Sequence, residues 1–335
     1  MLRKTALVAI GGNSLIRADD LGSVADEQEQ ARETARAIAA MVADGWRVLV
    51  THGNGPQVGA ALIRSERSAG EAYPLTLDVC GASTQGEIGY VLQQALGEQL
   101  ALRQVARPVA TVLTQVVVAE ADPAFERPTK PIGPFYPREE AEERRRTSGW
   151  MMVEDPVNGF RRVVPSPEPL EVVEADVIRA LVDRGVLVIA LGGGGIPVVR
   201  QGSRLVGVDA VIDKDRASAL LATRLRVELF AISTDVDRIY VDYGKPTERP
   251  LDRVTADELT RHYHAGQFPA GSMGPKVEAA LRFLRDGGRE VIITSPELLC
   301  EAVSGRAGTH VVAGTRTPDA PPVPVASGAG SEGVH

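Results

Sequence analysis

The sequence predicts an α/β fold, with a mainly parallel sheet covered by helices on both faces. Three observations lead to it. Short β-branched apolar runs alternate, from Thr5 to Thr294, with segments whose apolar residues recur at helical spacing. Several strand-like runs end in glycine loops: Gly11-Gly12-Asn13, Gly53-Asn54-Gly55 and the four glycines 192–195. Strand, glycine loop and helix in succession is how an α/β protein exposes backbone N–H groups to phosphate. Finally, no apolar run approaches the roughly 18 residues that a membrane span needs.

Composition sets the bounds. The 335 residues suffice for one large α/β unit or two modest lobes, and a hydrophobic content of 44% allows a full core. A net charge of −7 does not favour a nucleic-acid partner. Cys80 and Cys300 are far apart and form no motif, so neither a disulfide framework nor a metal site is expected. MLRKTALVAIGG has a basic start, but its apolar run is too short for a signal peptide and ends in Gly-Gly-Asn. It reads as the first strand of a cytoplasmic protein.

The elements follow in order. Thr5 to Ile10 is a strand, and Ala31, Ala35, Ile38 and Val42 mark a helix face that stops at Gly45. Trp46 to Thr51 is the second strand and runs into His52-Gly53-Asn54-Gly55. Asparagine offers donor and acceptor, which suits a small carboxylate or carbamate held by backbone N–H groups. His52 reads as a structural histidine with no proton-transfer role. Thr84 with Glu87 resembles a capping box, followed by the apolar face of Ile88, Val91, Leu92, Ala95, Leu96 and Leu100. That face has room for a subunit contact. Val109 to Val118 is a third strand.

Between Pro123 and Pro169 lie nine of the 22 prolines and the charge run Glu139 to Arg146. This is too long for an ordinary loop and reads as a small subdomain, about residues 120–168, inserted over the sheet edge. Val173, Val177, Ile178, Leu181 and Val182 form a helix face ending at Gly185. The stretch Val186 to Ala219 follows, with an apolar strand, four glycines, a polar hairpin and the Asp213-Lys214-Asp215 cluster opening a helix. Arg226 to Ile232 is the next strand. The polar groups and tyrosines after it (Thr234, Asp235, Val236, Tyr240, Tyr243) could frame an adenine or ribose, or equally form a hairpin. Ser272-Met273-Gly274-Pro275-Lys276 leads into the helix Val277 to Leu284, a glycine-rich turn that delivers lysine at a helix N-terminus. Glu290 to Thr294 is a late strand, and residues 316–335 read as a disordered tail.

The lysines carry sharper information. Only five of the 37 basic residues are lysines (Lys4, Lys130, Lys214, Lys245 and Lys276), and the other 32 are arginines. A chain so biased retains lysine where a compact point charge does what a guanidinium fork cannot. Three of the five sit in Gly/Pro-rich motifs: PTK130PIGPFY, VIDK214D and GSMGPK276. For Lys130 the bland alternative is a rigid surface loop with an incidental cation. The glycine loops match neither G-x-x-x-x-G-K-[ST] nor G-x-G-x-x-G, and no H-R-D set is present. Phosphoryl transfer needs positioning and spread positive charge more than covalent help, and lysines in glycine-rich surroundings supply that charge.

On the motifs AIGGNSL, THGNGPQVG, PTKPIGPFY, ALGGGGIPVV, GVDAVIDKD, STDVDRIYVDYGKP and GSMGPK, in that order over about residues 5–312, the sequence closely resembles the carbamate kinases of the amino acid kinase superfamily. The resemblance implies an open three-layer αβα sandwich with a protruding subdomain, and a homodimer. The implied lobes are residues 1–185 for the phosphoryl acceptor and 186–315 for the nucleotide. It also implies the reversible reaction of ATP with carbamate to give ADP and carbamoyl phosphate, commonly used in the family to make ATP during arginine breakdown. Mg²⁺ would be carried on the nucleotide phosphates, with no direct protein ligand.

By the same resemblance, Lys214 and Lys276 would stabilise the transferring phosphoryl group, Asp215 would hold them in place, and Lys130 would reach in from the subdomain. Gly11, Gly12, Asn13, Gly53, Asn54 and Gly55 would bind carbamate and the transferred phosphate, with Gly193 and Gly194 forming the floor between the substrates. Thr234, Asp235, Val236, Tyr240, Tyr243, Met273, Gly274 and Lys276 would line the nucleotide site. Ser14 stands where alanine is expected. One alternative is a kinase acting on acetylglutamate, opposed by the Lys130 motif and by the lack of a cationic clamp near the first two glycine loops. Another is a non-catalytic nucleotide- or carbamoyl-phosphate-sensing module, opposed by the three lysines and Asp215.

Overall fold

The structure is a computed structural model that describes residues 4–11, 24–269 and 271–314. Gly12, Asn13, Ser14 and the 316–335 tail lie outside the described residues. The central sheet has eight strands in the order Arg253–Thr255, Thr309–Val312, Glu290–Thr294, Leu229–Ser233, Thr5–Ile10, Arg47–His52, Leu187–Ile189, Val109–Thr111. Neighbouring strands run parallel, save that Glu290–Thr294 and Thr309–Val312 are antiparallel.

The period of two along each strand splits the core into two layers. From the first strand, Leu7 and Ala9 face one layer, while Ala6, Val8 and Ile10 face the other. Phe230 and Ile232 follow the first set, Leu229 and Ala231 the second. Helices Ala175–Asp183, Lys214–Leu225, Ala256–His264 and Met273–Arg285 cover the first face, where Phe230 meets Phe283 edge-on at 5.6 Å. Helices Val24–Ala43, Leu77–Leu102 and Leu299–Val303 cover the second. This is the expected αβα sandwich. No described helix is long and apolar enough to cross a membrane.

Two expectations need correction. The run Val109 to Val118 is two strands in different sheets: Val109–Thr111 ends the central sheet, and Gln115–Val117 joins a four-stranded sheet with Glu171–Val172, Ile196–Gln201 and Arg204–Gly207. The chain turns at Thr114, which is fully buried and donates its hydroxyl to the Val112 carbonyl while accepting Leu191 N–H. Nor does Thr84 cap a helix. The helix starts at Leu77, and mid-helix Thr84 donates its hydroxyl to the Gly81 carbonyl. Burial of Ile88, Leu92, Leu96 and Leu100 against the Val24–Ala43 helix outweighs the local signal.

Residues 130–164 form a three-stranded antiparallel sheet, in the order Lys130–Tyr136, Gly159–Val164, Met151–Asp155, with helix Arg138–Ser148 against it. Its outer part has a small core of Tyr136, Ala141, Met152 and Phe160, and the Arg144 guanidinium stacks 4.7 Å from the Trp150 ring. At its base, Ile132 and Val164 pack with Val58, Leu77 and Cys80 of the main body.

Candidate active site

The strand Leu187–Ile189 delivers the four glycines to the C-terminal edge of the sheet. Gly193 has φ +65° and Gly194 φ +91°, a region that L side chains seldom adopt. Space is also lacking: a Cβ on Gly193 would lie 2.2 Å from Asn54 Nδ2, and one on Gly194 would lie 2.3 Å from the Ile212 carbonyl oxygen. The glycine loop is therefore wedged between the His52–Gly55 segment and the residues leading to Asp213.

Gln85, 2% exposed, clamps the loop from the Leu77–Leu102 helix. Its amide donates to the Gly192 and Thr114 carbonyls, at 3.0 and 3.1 Å, and accepts Thr114 N–H at 2.8 Å. Asn54 donates to Thr84 Oγ1 at 2.9 Å. Thr84 and Gln85 thus support the site, a role hidden in the sequence by their resemblance to a cap. His52 is 1% exposed and donates Nδ1–H to the Gly53 carbonyl at 2.9 Å. Burial, helped by the nearby Lys214 ammonium and only partly opposed by that hydrogen bond, pulls its pKa down to about 4, so the ring is neutral at pH 7.

Helix Lys214–Leu225 starts where Asp213 Oδ1 accepts the N–H groups of Asp215 and Arg216, at 2.9 and 3.2 Å. The first turn then holds two of the site's charges. Lys214 Nζ lies 2.8 Å from Asp215 Oδ1, and Lys276 Nζ, from the first turn of Met273–Arg285, lies 3.2 Å from Asp215 Oδ2. One carboxylate therefore bridges two ammonium groups, with all three side chains at least 84% shielded from solvent. The Lys214–Asp215 contact is an ion pair poorly aligned for a hydrogen bond, and among the described residues the Lys214 ammonium has no other hydrogen-bond partner, which leaves donors for a ligand.

Burial alone would raise the Asp215 carboxyl, but Lys214 and Lys276 overcome it and hold the pKa at about 2. Burial pulls the Lys214 ammonium below its ordinary range, with Asp215 opposing most strongly. Lys130, first residue of its strand, reaches Asp213 Oδ2 at 2.9 Å. Burial pushes the Asp213 carboxyl up, yet Lys130 helps hold it below the ordinary range. The three lysines of the Gly/Pro-rich motifs thus meet two carboxylates two residues apart. The other two sit elsewhere: Lys4 over the Trp46 ring, Lys245 paired with Asp242 on the surface. The sequence reading gave Asp213 no role of its own.

Behind the cluster, Glu168 takes ion pairs from Arg216 and Arg282, and Arg216 also meets Glu278 at 3.0 Å. This network ties the segment leaving the inserted subdomain to both lysine-bearing helices.

The residues expected around a nucleotide are less uniform. Met273 packs on the same core layer as the lysine-bearing helices, and Gly274 N–H donates to the Pro269 carbonyl at 2.9 Å. Thr234 N–H donates to the Thr294 carbonyl at 2.8 Å, and Val236 is half-buried beyond it. Ile239–Val241 pairs with Arg249–Leu251, so the hairpin of the open alternative is present. On it Tyr240 donates to Asp237 and meets Tyr243 edge-on at 6.1 Å. Asp235 lines a cavity of about 600 Å³ beside Ala37, Ala40 and Cys300, against the opposite helix layer. Among the described residues no group of three or more His, Cys, Asp or Glu side chains could hold a metal ion.

Residues 4–295 match the sequence profile of the amino acid kinase family. A carbamate kinase of Thermococcus kodakarensis is 47% identical over 313 residues, spanning 92% of this chain and 99% of that protein. One of Pyrococcus furiosus is likewise 47% identical, with the same coverage. Among solved structures, the carbamate kinase from Giardia lamblia bound to AMP-PNP superposes with a TM-score of 0.88 at 40% identity, covering 93% of this chain and 99% of that one.

Proposed function

The chain belongs to the amino acid kinase family and, within it, to the carbamate kinases, and from that premise we propose that it catalyses the reversible, Mg²⁺-dependent transfer of a phosphoryl group between ATP and carbamate. The observation that carries this reading is the convergence of Lys130, Lys214 and Lys276 on Asp213 and Asp215 beside the glycine loop. Carbamate attacks through a carboxylate-like oxygen that is already nucleophilic. The site therefore needs no general base, in keeping with a His52 that is neutral and committed to the Gly53 carbonyl.

Lys214 and Lys276 stabilise the charge on the transferring oxygens, where a preorganised cation acts without reorganisation. Asp215 keeps both ammonium groups aimed at one point. The glycine loop lets backbone approach both substrates, with Gly11, Gly53, Asn54 and Gly55 on the carbamate side and Met273, Gly274, Tyr240 and Tyr243 on the nucleotide side. Asp213 and Asp215 are each committed to lysine, so the donor set fits a Mg²⁺ that arrives on the nucleotide phosphates. When bound, that ion supplies neutralisation of phosphate charge. We further read the enzyme as a homodimer, supported by the exposed Val79, Tyr90 and Leu102 of one helix beside the open edge strand Val109–Thr111.

The test is ATP formation from ADP and carbamoyl phosphate with Mg²⁺, run beside acetylglutamyl phosphate. ATP from the first alone is expected. Folded protein yielding no ATP above background overturns the kinase reading, and preference for acetylglutamyl phosphate reassigns the acceptor.

A further inference from the structure

Lys130 is the one lysine of the cluster that comes from the inserted subdomain, and it is more than a third exposed. A lysine on a four-carbon stem in such a place has little reason to hold one geometry. Its partner is 83 residues away in sequence, on the helix cap that precedes Lys214. We propose that Asp213 is a positioning residue that stations the Lys130 ammonium at the start of helix Lys214–Leu225 and so joins the inserted subdomain to the helix that carries Lys214. This rests on the carbamate kinase reading above.

Three observations support it. First, the Asp213 carboxylate is fixed independently of Lys130. Oδ1 accepts two backbone N–H groups of the helix N-terminus, which orients Oδ2 toward Lys130 at 2.9 Å. An exposed ion pair is ordinarily weak because both side chains lose rotamer freedom. Here only the lysine has freedom to lose, since Asp213 is 13% exposed and locked by the cap.

Second, the backbone brings the two residues together. Lys130 pairs with Val164 at the base of the subdomain sheet, and the next residue, Pro165, accepts Val211 N–H at 2.9 Å, two positions before Asp213. The ion pair therefore sits at the base of the subdomain sheet. Third, Asp213 and Asp215 divide the cluster between them. Asp215 takes Lys214 and Lys276 from the main body, and Asp213 takes Lys130.

The test separates this role from simple helix capping. Asp213→Asn keeps a capping oxygen, because asparagine caps as well as aspartate, but removes the charge that holds Lys130. Rates of ATP formation from ADP and carbamoyl phosphate are to be compared for wild type, Asp213→Asn, Lys130→Ala and the double variant. Because Asp213 acts through Lys130, its loss is bounded by that of Lys130→Ala, which is about a hundredfold in kcat/KM for carbamoyl phosphate if Lys130 acts as one electrostatic stabiliser. Asp213→Asn is expected to fall by about tenfold, with KM for ADP within about twofold of wild type. The double variant is expected to be no slower than Lys130→Ala alone.

Asp213→Asn as fast as wild type, or faster because a negative charge has gone, overturns the proposal. So do losses that multiply in the double variant. If Asp213→Asn does not fold, Asp213→Ser, which also caps, is put through the same cycle. An inactive wild type overturns the kinase reading instead, so the two failures are distinguishable.

Discussion

Asp215→Asn tests the centre of the proposed mechanism with the smallest change of shape. The side chain is 5% exposed, and its two oxygens lie 2.8 and 3.2 Å from the Lys214 and Lys276 ammonium groups. Two routes give its worth. Lowering the carboxyl from 3.8 to about 2 corresponds to roughly 2 kcal/mol in favour of the ionised form. Removing one partner of a buried ion pair costs about 3 to 5 kcal/mol, because the remaining charge is left uncompensated. We expect the variant to lose about 3 kcal/mol, above the first figure and at the low end of the second. The folded pKa lies below the unfolded one, so the stabilisation is complete above about pH 4 and is lost as pH falls through about 2. Urea unfolding at pH 7 therefore reads the full difference, as a lower midpoint with unchanged slope.

The kinetic consequence carries a more specific signature. Burial already pulls Lys214 below its ordinary range, and Asp215 is the strongest influence opposing that pull. With asparagine in its place the Lys214 pKa drops further. In the proposed mechanism Lys214 serves only while protonated, so activity is expected to be lost as pH rises through its folded pKa, and this alkaline limb to move to lower pH in the variant. At neutral pH we expect kcat to fall by at least about a hundredfold. The assay is ATP formation from ADP and carbamoyl phosphate across pH 6 to 10. Turnover within about threefold of wild type, with an unmoved alkaline limb, would refute the idea that Asp215 organises the lysines.

Two further outcomes follow from the neighbouring loops. Gly193→Ala forces a side chain into φ +65° and to within 2.2 Å of Asn54, which must give up its bond to Thr84; thermal unfolding is expected to show a loss on the order of 3 kcal/mol, with a fall in kcat/KM for carbamoyl phosphate. Gly202→Ala is the control, since it shares a positive φ, at +61°, but has nothing within 4 Å of the new Cβ. The buried His52, held at about 4, binds its proton later than in the unfolded chain, so stability falls as pH drops from about 6.5 toward 4, by on the order of 3 kcal/mol. His52→Gln is expected to flatten that dependence, measured by urea unfolding at pH 4.5 and 7, and wild-type kcat is expected to show no histidine limb near pH 6.5.

Which features were legible in the sequence depended on how far their causes reach along the chain. The strands of the central sheet are buried on both faces and so read as continuous apolar runs, Thr5–Ile10 and Glu290–Thr294 among them. The lysine cluster was legible for a compositional reason, the scarcity of lysine, which needs no structure. The division of Val109 to Val118 between two sheets was not, because both halves favour strand and the break is made by Thr114 contacts with Leu191 and Gln85. Thr84 misled because Ser-Thr-Gln-Gly-Glu carries a local capping pattern, while the packing that sets the helix start is tertiary. Asp213 was visible as a residue but not as the partner of Lys130, a pairing that depends on how the inserted sheet docks.

The charges of the cluster give a physical reason for two carboxylates in the proposed site. Three buried or half-buried ammonium groups converging without counterions would repel one another and lose their hydration, and desolvation would push their protons off. Two carboxylates reduce the cluster to one net positive charge, low enough for the resting protein to tolerate. A neutral cluster would be easier still to bury, but it would offer nothing to a phosphoryl group whose charge is spread over three oxygens. The single surplus charge is shared by three ammonium groups carried on three different elements, Lys130–Tyr136, Lys214–Leu225 and Met273–Arg285. Asp215 is held ionised throughout the neutral range, and Asp213 is fixed by two backbone N–H groups. In the proposed mechanism the two carboxylates are thus the fixed frame on which the three lysines are held.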